Sequence, residues 1–202
     1  MECQFCTEFA GGASRIIAEV EGWVLLPTVG CFTPGYCLLM PFRHLDAAAD
    51  APAVELASVQ DAVEDMRDVI ASSFGPTIVA EHGPRGCELG ASCCSHAHLH
   101  FIPVPDPAAV TSAYRSTGGP GLNIAGLTEL ARNHDSPYLY LSPTTGEHLI
   151  WPSDGFARQY VRRVCASLHG LGSYFDWRDH PFLDNQRHTF DVVHSKLRSR
   201  AA

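Results

Sequence analysis

Three histidines alternate with apolar residues in the segment His96-Ala97-His98-Leu99-His100-Phe101-Ile102-Pro103. A repeat of two is the repeat of a β-strand, whose successive side chains leave by opposite faces. The pattern predicts that Ala97, Leu99 and Phe101 enter a core. His96, His98 and His100 then form a column on the other face, roughly 6.5 to 7 Å apart between alternate positions. Pro103 marks where strand pairing stops. A solvated face would mix Thr, Lys, Glu and Ser, so a column of imidazoles points to chemistry. One reading is metal, because neutral imidazole is the commonest metal ligand and His-x-His on a strand can share one zinc. The other is phosphorus chemistry, in which the middle imidazole attacks and a neighbour donates hydrogen bonds to the phosphoryl oxygens.

The run His-φ-His-φ-His-φ-φ from His96 to Ile102 resembles the signature of the histidine triad (HIT) family. That resemblance implies a nucleotidyl hydrolase or transferase. Its middle histidine, here His98, would form a covalent nucleotidyl-histidine intermediate, with His100 and His96 beside it as further catalytic residues.

The chain has 202 residues, enough for one sizeable domain or a domain with a large appendage. Fourteen Lys and Arg against 22 Asp and Glu give a formal charge of −8. That balance argues against a broad nucleic-acid surface, which needs a basic stripe, and leaves a small nucleotide in a pocket open. The N-terminus carries no basic-then-apolar signal and no apolar run is of spanning length, so a cytoplasmic protein without membrane contact is expected. Eight cysteines are then read as thiols or metal ligands rather than a disulfide framework.

The chain opens with Cys3-Gln4-Phe5-Cys6, two thiolates spaced to grip one soft ion, with a redox pair as the rival reading. A zinc-binding subset of HIT proteins carries such a Cys-x-x-Cys, a histidine after Pro-x-x at the end of a strand, and the first triad histidine. Cys3, Cys6, His44 and His96 occupy those places, and the resemblance implies structural zinc held by two sulfurs and two nitrogens.

Glu19 to Pro27 and Tyr36 to Pro41 read as an antiparallel pair of strands joined through the turn formers Gly30, Pro34 and Gly35. Asp50 to Ser73 reads as a helix with Asp50 as N-cap and a stripe of Leu56, Val59, Val63, Met66 and Ile70. Thr77 to Ala80 reads as a strand, followed by Glu81-His82-Gly83 and a Gly- and Cys-rich loop from Arg85 to Cys94 that leads back to the triad. In HIT proteins this loop borders the phosphate. Backbone amides near Gly90, the hydroxyls of Ser92 and Ser95, and the neighbouring Glu81 are therefore candidate substrate contacts. The sequence departs from the family twice. Cys93 stands where many members have Ser or Thr, and Thr28 where many have a ribose-binding Asp; both remain candidate substrate contacts. A second metal site at Cys87, Cys93 and Cys94 is the alternative reading of that loop.

Beyond Val104, Pro105 to Gly121 reads as a long loop, then Tyr138 to Leu141 and His148 to Trp151 as a hairpin. A helix is predicted from about Gly155 to His169, with Phe156, Tyr160, Val164 and Leu168 inward, and another from Asp184 to Ser199. The resemblance to longer HIT-like proteins makes residues 105–202 an extension that closes over the site, with Arg158, Gln159, Arg162, Arg163 and Arg178 as candidates to meet substrate. The expectation is an α+β, HIT-like fold, with an antiparallel sheet and packing helix in residues 1–104 and an α/β extension in 105–202. HIT family members pair their sheets in a dimer or use a second repeat, so with one triad per chain the resemblance implies a homodimer. A nucleotidyl hydrolase using His98 without a divalent ion in the chemistry leads. A transferase with the same residues, a nucleotide-binding module with vestigial activity, and a zinc hydrolase ligated by His96, His98 and His100 are the alternatives.

Overall fold

The structure is a computed structural model that describes residues 3–83, 96–133 and 135–201. In chain order the elements are α1 (Gln4–Ala10), β1 (Ala18–Val20), β2 (Trp23–Pro27), β3 (Cys37–Pro41), α2 (Ala53–Phe74), β4 (Thr77–Gly83), β5 (Leu99–Pro103), α3 (Pro107–Gly118), β6 (Leu122–Asn123), β7 (Tyr138–Ser142), β8 (Leu149–Pro152), α4 (Tyr160–Leu168) and α5 (Leu183–Ala201). The strands form one antiparallel sheet in the order β1-β2-β3-β5-β4-β7-β8-β6. It is an α+β architecture, and its strands come from both sides of residue 104.

Both faces of the sheet are covered, which is why β2, β3 and β7 read as unbroken apolar runs rather than alternations. One face packs Leu25, Leu39, Val79, Leu99, Phe101 and Tyr140 against α2, whose Leu56, Val59, Val63, Met66 and Ile70 are buried as their spacing predicts. Each such side chain contributes about 1.5–3 kcal/mol on full burial. The other face packs Leu26, Leu38, Ile78, Ala80, Ile102 and Leu141 against Val110 and Tyr114 of α3 and Val161 and Cys165 of α4. His100 lies opposite Leu38 and Ala80 in the register, and therefore on this second face.

Several elements differ from expectation. Glu19 to Pro27 is a hairpin, not one strand: Glu21 and Gly22 both have positive φ, 48° and 77°. A two-residue loop with that geometry reverses a strand tightly, and Glu-Gly supports it without the usual Asn. Asp50 does not cap α2 but closes a short 3-10 turn by accepting from Ala47 N at 3.1 Å. Residues 107–118 are the helix α3, not a loop. Asp106 accepts from Ala108 N and Ala109 N, Pro107 takes the first turn, and Gly119 at φ 80° ends it. α4 starts at Tyr160, after a left-handed Gln159, and its innermost side chains are Val161, Arg162, Cys165 and Ala166, one position round from the predicted stripe. β5 starts at Leu99, because Ala97 N donates to Leu45 O at 2.7 Å instead of to a strand neighbour.

Candidate active site and metal centre

Cys3 and Cys6 sit at the start of α1, three residues apart and so on one side of it. His44 follows the end of β3 and His96 precedes β5. The ligating atoms of these four residues lie within 4.8 Å of one another. Cys3 Sγ is 3.4 Å and Cys6 Sγ 3.7 Å from His96 Nδ1, and Cys6 Sγ is 3.5 Å from His44 Nδ1. Sulfur at about 2.3 Å and nitrogen at about 2.0 Å from a tetrahedral zinc are about 3.5 Å apart, so the cage has the right edges. The tautomers fit too. His96 Nε2–H donates to Pro41 O at 2.8 Å, which leaves Nδ1 as the lone-pair nitrogen. His44 Nε2 lies 3.4 Å from Asp46 Oδ1. Outer partners of this kind fix the orientation of metal-bound histidines. Burial also holds the His96 pKa below the usual histidine value, favouring the neutral ligand form. The four residues could hold zinc. Among the described residues they are the one cluster of three or more His, Cys, Asp or Glu placed to share an ion.

His98 is held by a carbonyl through its other ring nitrogen. Its Nδ1 lies 2.6 Å from His96 O, and because a carbonyl only accepts, Nδ1 carries a proton. The His98 and His100 rings meet edge to face, with centroids 4.6 Å apart. His100 Nδ1 bonds Tyr36 Oη at 2.7 Å. His100 Nε2 is buried and has no hydrogen-bond partner among the described residues. Burial pushes its pKa well below the usual value, and nearby His98, His82 and Arg162 push the same way. His82, on the same face of β4, is 5.7 Å from the His100 ring and accepts from Val161 N in the first turn of α4 at 3.2 Å. Burial lowers its pKa to about 3, so it stays neutral.

His98 and His100 open into a pocket of about 50 Å³. It is lined as well by Gln4 and Phe5 of α1, by Thr28, Val29 and Leu38, by Arg162 and Trp177, and by Arg15. No lining residue among those described is acidic. At about 10–15 Å³ for each water, the space matches a handful of heavy atoms, the size of a phosphoryl group. Arg162 is buried, at 3% exposure. Its Nε donates to Phe175 O at 2.7 Å and its Nη2 to Gly30 O at 2.6 Å. The guanidinium lies 5.3 Å over the Phe32 ring and 5.1 Å over the Tyr36 ring.

The structure thus brings together Cys3, Cys6, His44 and His96 in one cluster and His98, His100 and Thr28 in the adjoining pocket. Glu81 does not line the pocket. It is buried, accepting from Ala48 N at 2.7 Å and from the Tyr138 hydroxyl, and burial raises its pKa to about 7. Ser92, Cys93 and Ser95, with Cys87 and Cys94, lie outside the described residues. Of the candidates in the C-terminal half, Arg162 reaches the pocket. Arg163 lies on the Phe175 ring and bonds Arg158 O, while Gln159 leads into α4. The zinc-hydrolase alternative requires His96 to face His98 and His100. Instead its two nitrogens face the cysteines and Pro41 O. Tyr36, His82, Arg15, Phe5 and Trp177 escaped the sequence reading. His82 had a signal, since Ile78, Ala80 and His82 alternate along one strand.

No protein-family model matches the chain, and no curated protein sequence does. Solved structures do. A HIT-like protein described as involved in cell-cycle regulation from Bartonella henselae aligns at 18% identity and TM-score 0.43, over 50% of this chain and 79% of its own. A hypothetical histidine triad nucleotide-binding protein from Sulfolobus tokodaii aligns at 20% identity and TM-score 0.43, over 50% and 68%. A HIT family protein from Bacillus anthracis aligns at 19% identity and TM-score 0.42, over 50% and 72%. Over half its length the chain is similar to histidine triad proteins.

Proposed function

We propose that this protein is a nucleotidyl hydrolase, acting on a nucleoside monophosphate joined to a leaving group through a phosphoramidate or phosphoanhydride bond. The observation that carries the reading is the hydrogen bond from His98 Nδ1 to His96 O in a histidine that lines a phosphate-sized pocket, which makes Nε2 the nitrogen read as nucleophile. His98 Nε2 attacks phosphorus, a His98–phosphorus bond forms and the bond to the leaving group breaks. In this reading Tyr36 donates to His100 Nδ1, the His100 proton sits on Nε2, and a phosphoryl oxygen is the acceptor that this buried atom lacks among the described residues. His96, with both nitrogens engaged elsewhere, acts through its carbonyl by holding His98. The departing group takes its proton from the substrate or solvent, and water then releases the nucleotide. Zinc at Cys3, Cys6, His44 and His96 is read as structural, fixing α1 against the sheet. A transferase would use the same atoms, and product analysis with and without an added acceptor separates the two.

Intact-protein mass spectrometry after rapid, acid-free quenching with nucleoside phosphoramidates of all four bases tests this reading. We expect a mass gain of one nucleotidyl group that His98→Ala abolishes. No adduct and no product from any of the four would overturn it. A homodimer is also proposed, on the single triad per chain, and light scattering after gel filtration tests it.

A further inference from the structure

Arg162 is a buried cation with no carboxylate within ion-pairing distance among the described residues. The other cation at the pocket, Arg15, is paired with Glu8 at 2.6 Å and is compensated. Arg162 spends Nε and Nη2 on two backbone carbonyls, which orient the guanidinium but do not balance its charge. A buried ion left without a counter-charge is costly, several kcal/mol by general experience. The pocket it lines has no acidic wall among the described residues and is lined by the imidazoles of His98 and His100, in a chain whose overall charge is −8. The local field is therefore opposite to that of the chain as a whole, and a low-dielectric concavity concentrates it. Arg162 also stacks over Tyr36, the residue bonded to His100, which puts it on the His100 side of His98.

We propose that Arg162 is a substrate-binding residue that receives an anionic oxygen of the substrate, making the C-terminal half the source of the site's positive charge. This rests on the reading of His98 as the point of attack. The oxyanion has two possible sources, the scissile phosphoryl group itself or a second anionic group on the leaving half. A planar guanidinium held by two carbonyls is pre-organised for either.

Calorimetric titration of inorganic pyrophosphate tests the charge without needing turnover. Wild type is expected to bind it, and Arg162→Gln to weaken binding by roughly 10- to 100-fold, the usual loss for a hydrogen bond to a charged group. Arg162→Lys should recover part of the affinity, and Arg163→Gln, whose exposed side chain lies on Phe175, should match wild type. No binding to wild type, or equal binding to a folded Arg162→Gln protein, would overturn the proposal. Should Arg162→Gln not fold, wild-type crystals soaked in tungstate decide: an anion bonded to the Arg162 guanidinium supports the proposal, and anions bound only elsewhere reject it. The source of the oxyanion follows from the rate of His98 adduct formation. Equal losses in Arg162→Lys for a nucleoside phosphoramidate and a nucleoside diphosphate place it on the scissile group, and a larger loss for the diphosphate places it on the leaving half. No loss with either rejects the proposal. Absence of any adduct in wild type speaks against the His98 reading instead, and the pyrophosphate titration still decides on Arg162.

Discussion

Which nitrogen of each histidine carries the proton decides what that histidine can do, and a carbonyl neighbour fixes one proton in two of the three. A backbone carbonyl holds Nδ1–H of His98, Pro41 O holds Nε2–H of His96, and Tyr36 faces Nδ1 of His100. The triad pattern was legible because a period of two is a strong signal, but Tyr36 was not. It stands 64 positions away in an apolar run, where a tyrosine looks like core. Tyr36→Phe removes the donor and frees the His100 tautomer. Turnover should fall by about tenfold, equal to about 1.4 kcal/mol, with KM little changed, and steady-state kinetics checks it. His82 gives a pH prediction. Burial sets its folded pKa at about 3, below the unfolded value of about 6.5. A depressed histidine pKa means the unfolded chain binds more protons, so its stabilising share is full above pH 6.5 and is lost as pH falls towards 3. Glu81, with a folded pKa of about 7, works in the opposite sense, and its share is lost as pH rises from its unfolded value through 7. The stability difference between wild type and His82→Asn cancels Glu81 and isolates His82. Measured by urea unfolding, it should shrink by up to about 1.4 kcal/mol for each pH unit below 6.5. A difference that stays constant from pH 6.5 to 4 would show that His82 does not titrate as its burial requires.

The seven-residue helix α1 is too short to persist alone, and its N-cap Cys3 makes no side-chain capping bond. That is why the sequence showed the Cys-x-x-Cys but not the helix around it. α3 was missed for another reason: Asp106-Pro107 is a good helix start, yet the Gly- and Pro-rich composition just beyond it, at Gly118 to Gly121, suggested a loop. What holds α1 in place is the cluster at its first turn, together with Phe5 and Phe9 against His96. Since Gln4 and Phe5 line the pocket, the cysteine–histidine cluster and the phosphate-sized pocket share one element. The purified protein should carry one zinc per chain, read by atomic absorption. Cys3→Ser should lower both zinc content and melting temperature. Asp46→Ala, which removes only the outer partner of His44, should weaken zinc binding by about tenfold, the low end for such residues, because the pair is half exposed. A Cys3→Ser protein with full zinc and an unshifted melting curve would remove the cluster from the account.

The sheet does not stop where the triad motif ends. β7 pairs with β4 over five positions, so residues 138–142 cover what would otherwise be an open edge beside the triad strand. The Thr28–Gly35 connection, which lines the pocket through Thr28 and Val29, is bonded repeatedly to the C-terminal half. Gln186 donates to Thr28 O, Arg162 to Gly30 O and Asn185 to Cys31 O, while Gly30 N donates to Pro181 O and Gly35 N to Thr189 Oγ1. Composition marked a change near Val104, but such tertiary bonds between distant segments leave no local pattern to read. A fragment of residues 1–104 would expose β4 as a long apolar edge, a surface prone to pairing with other chains. It would also lose α3, α4 and the β7 side chains that cover the second face of the sheet. We expect such a fragment to unfold without a cooperative transition and to form no nucleotidyl adduct, whereas the full chain melts as one unit in calorimetry. A sharp transition and adduct formation in the fragment would show that residues 1–104 carry the fold and the chemistry unaided. Failure of the fragment, with adduct restored on adding residues 105–202 as a separate chain, would show that the C-terminal half completes the pocket from outside the triad segment, as the bonds to residues 28–35 require.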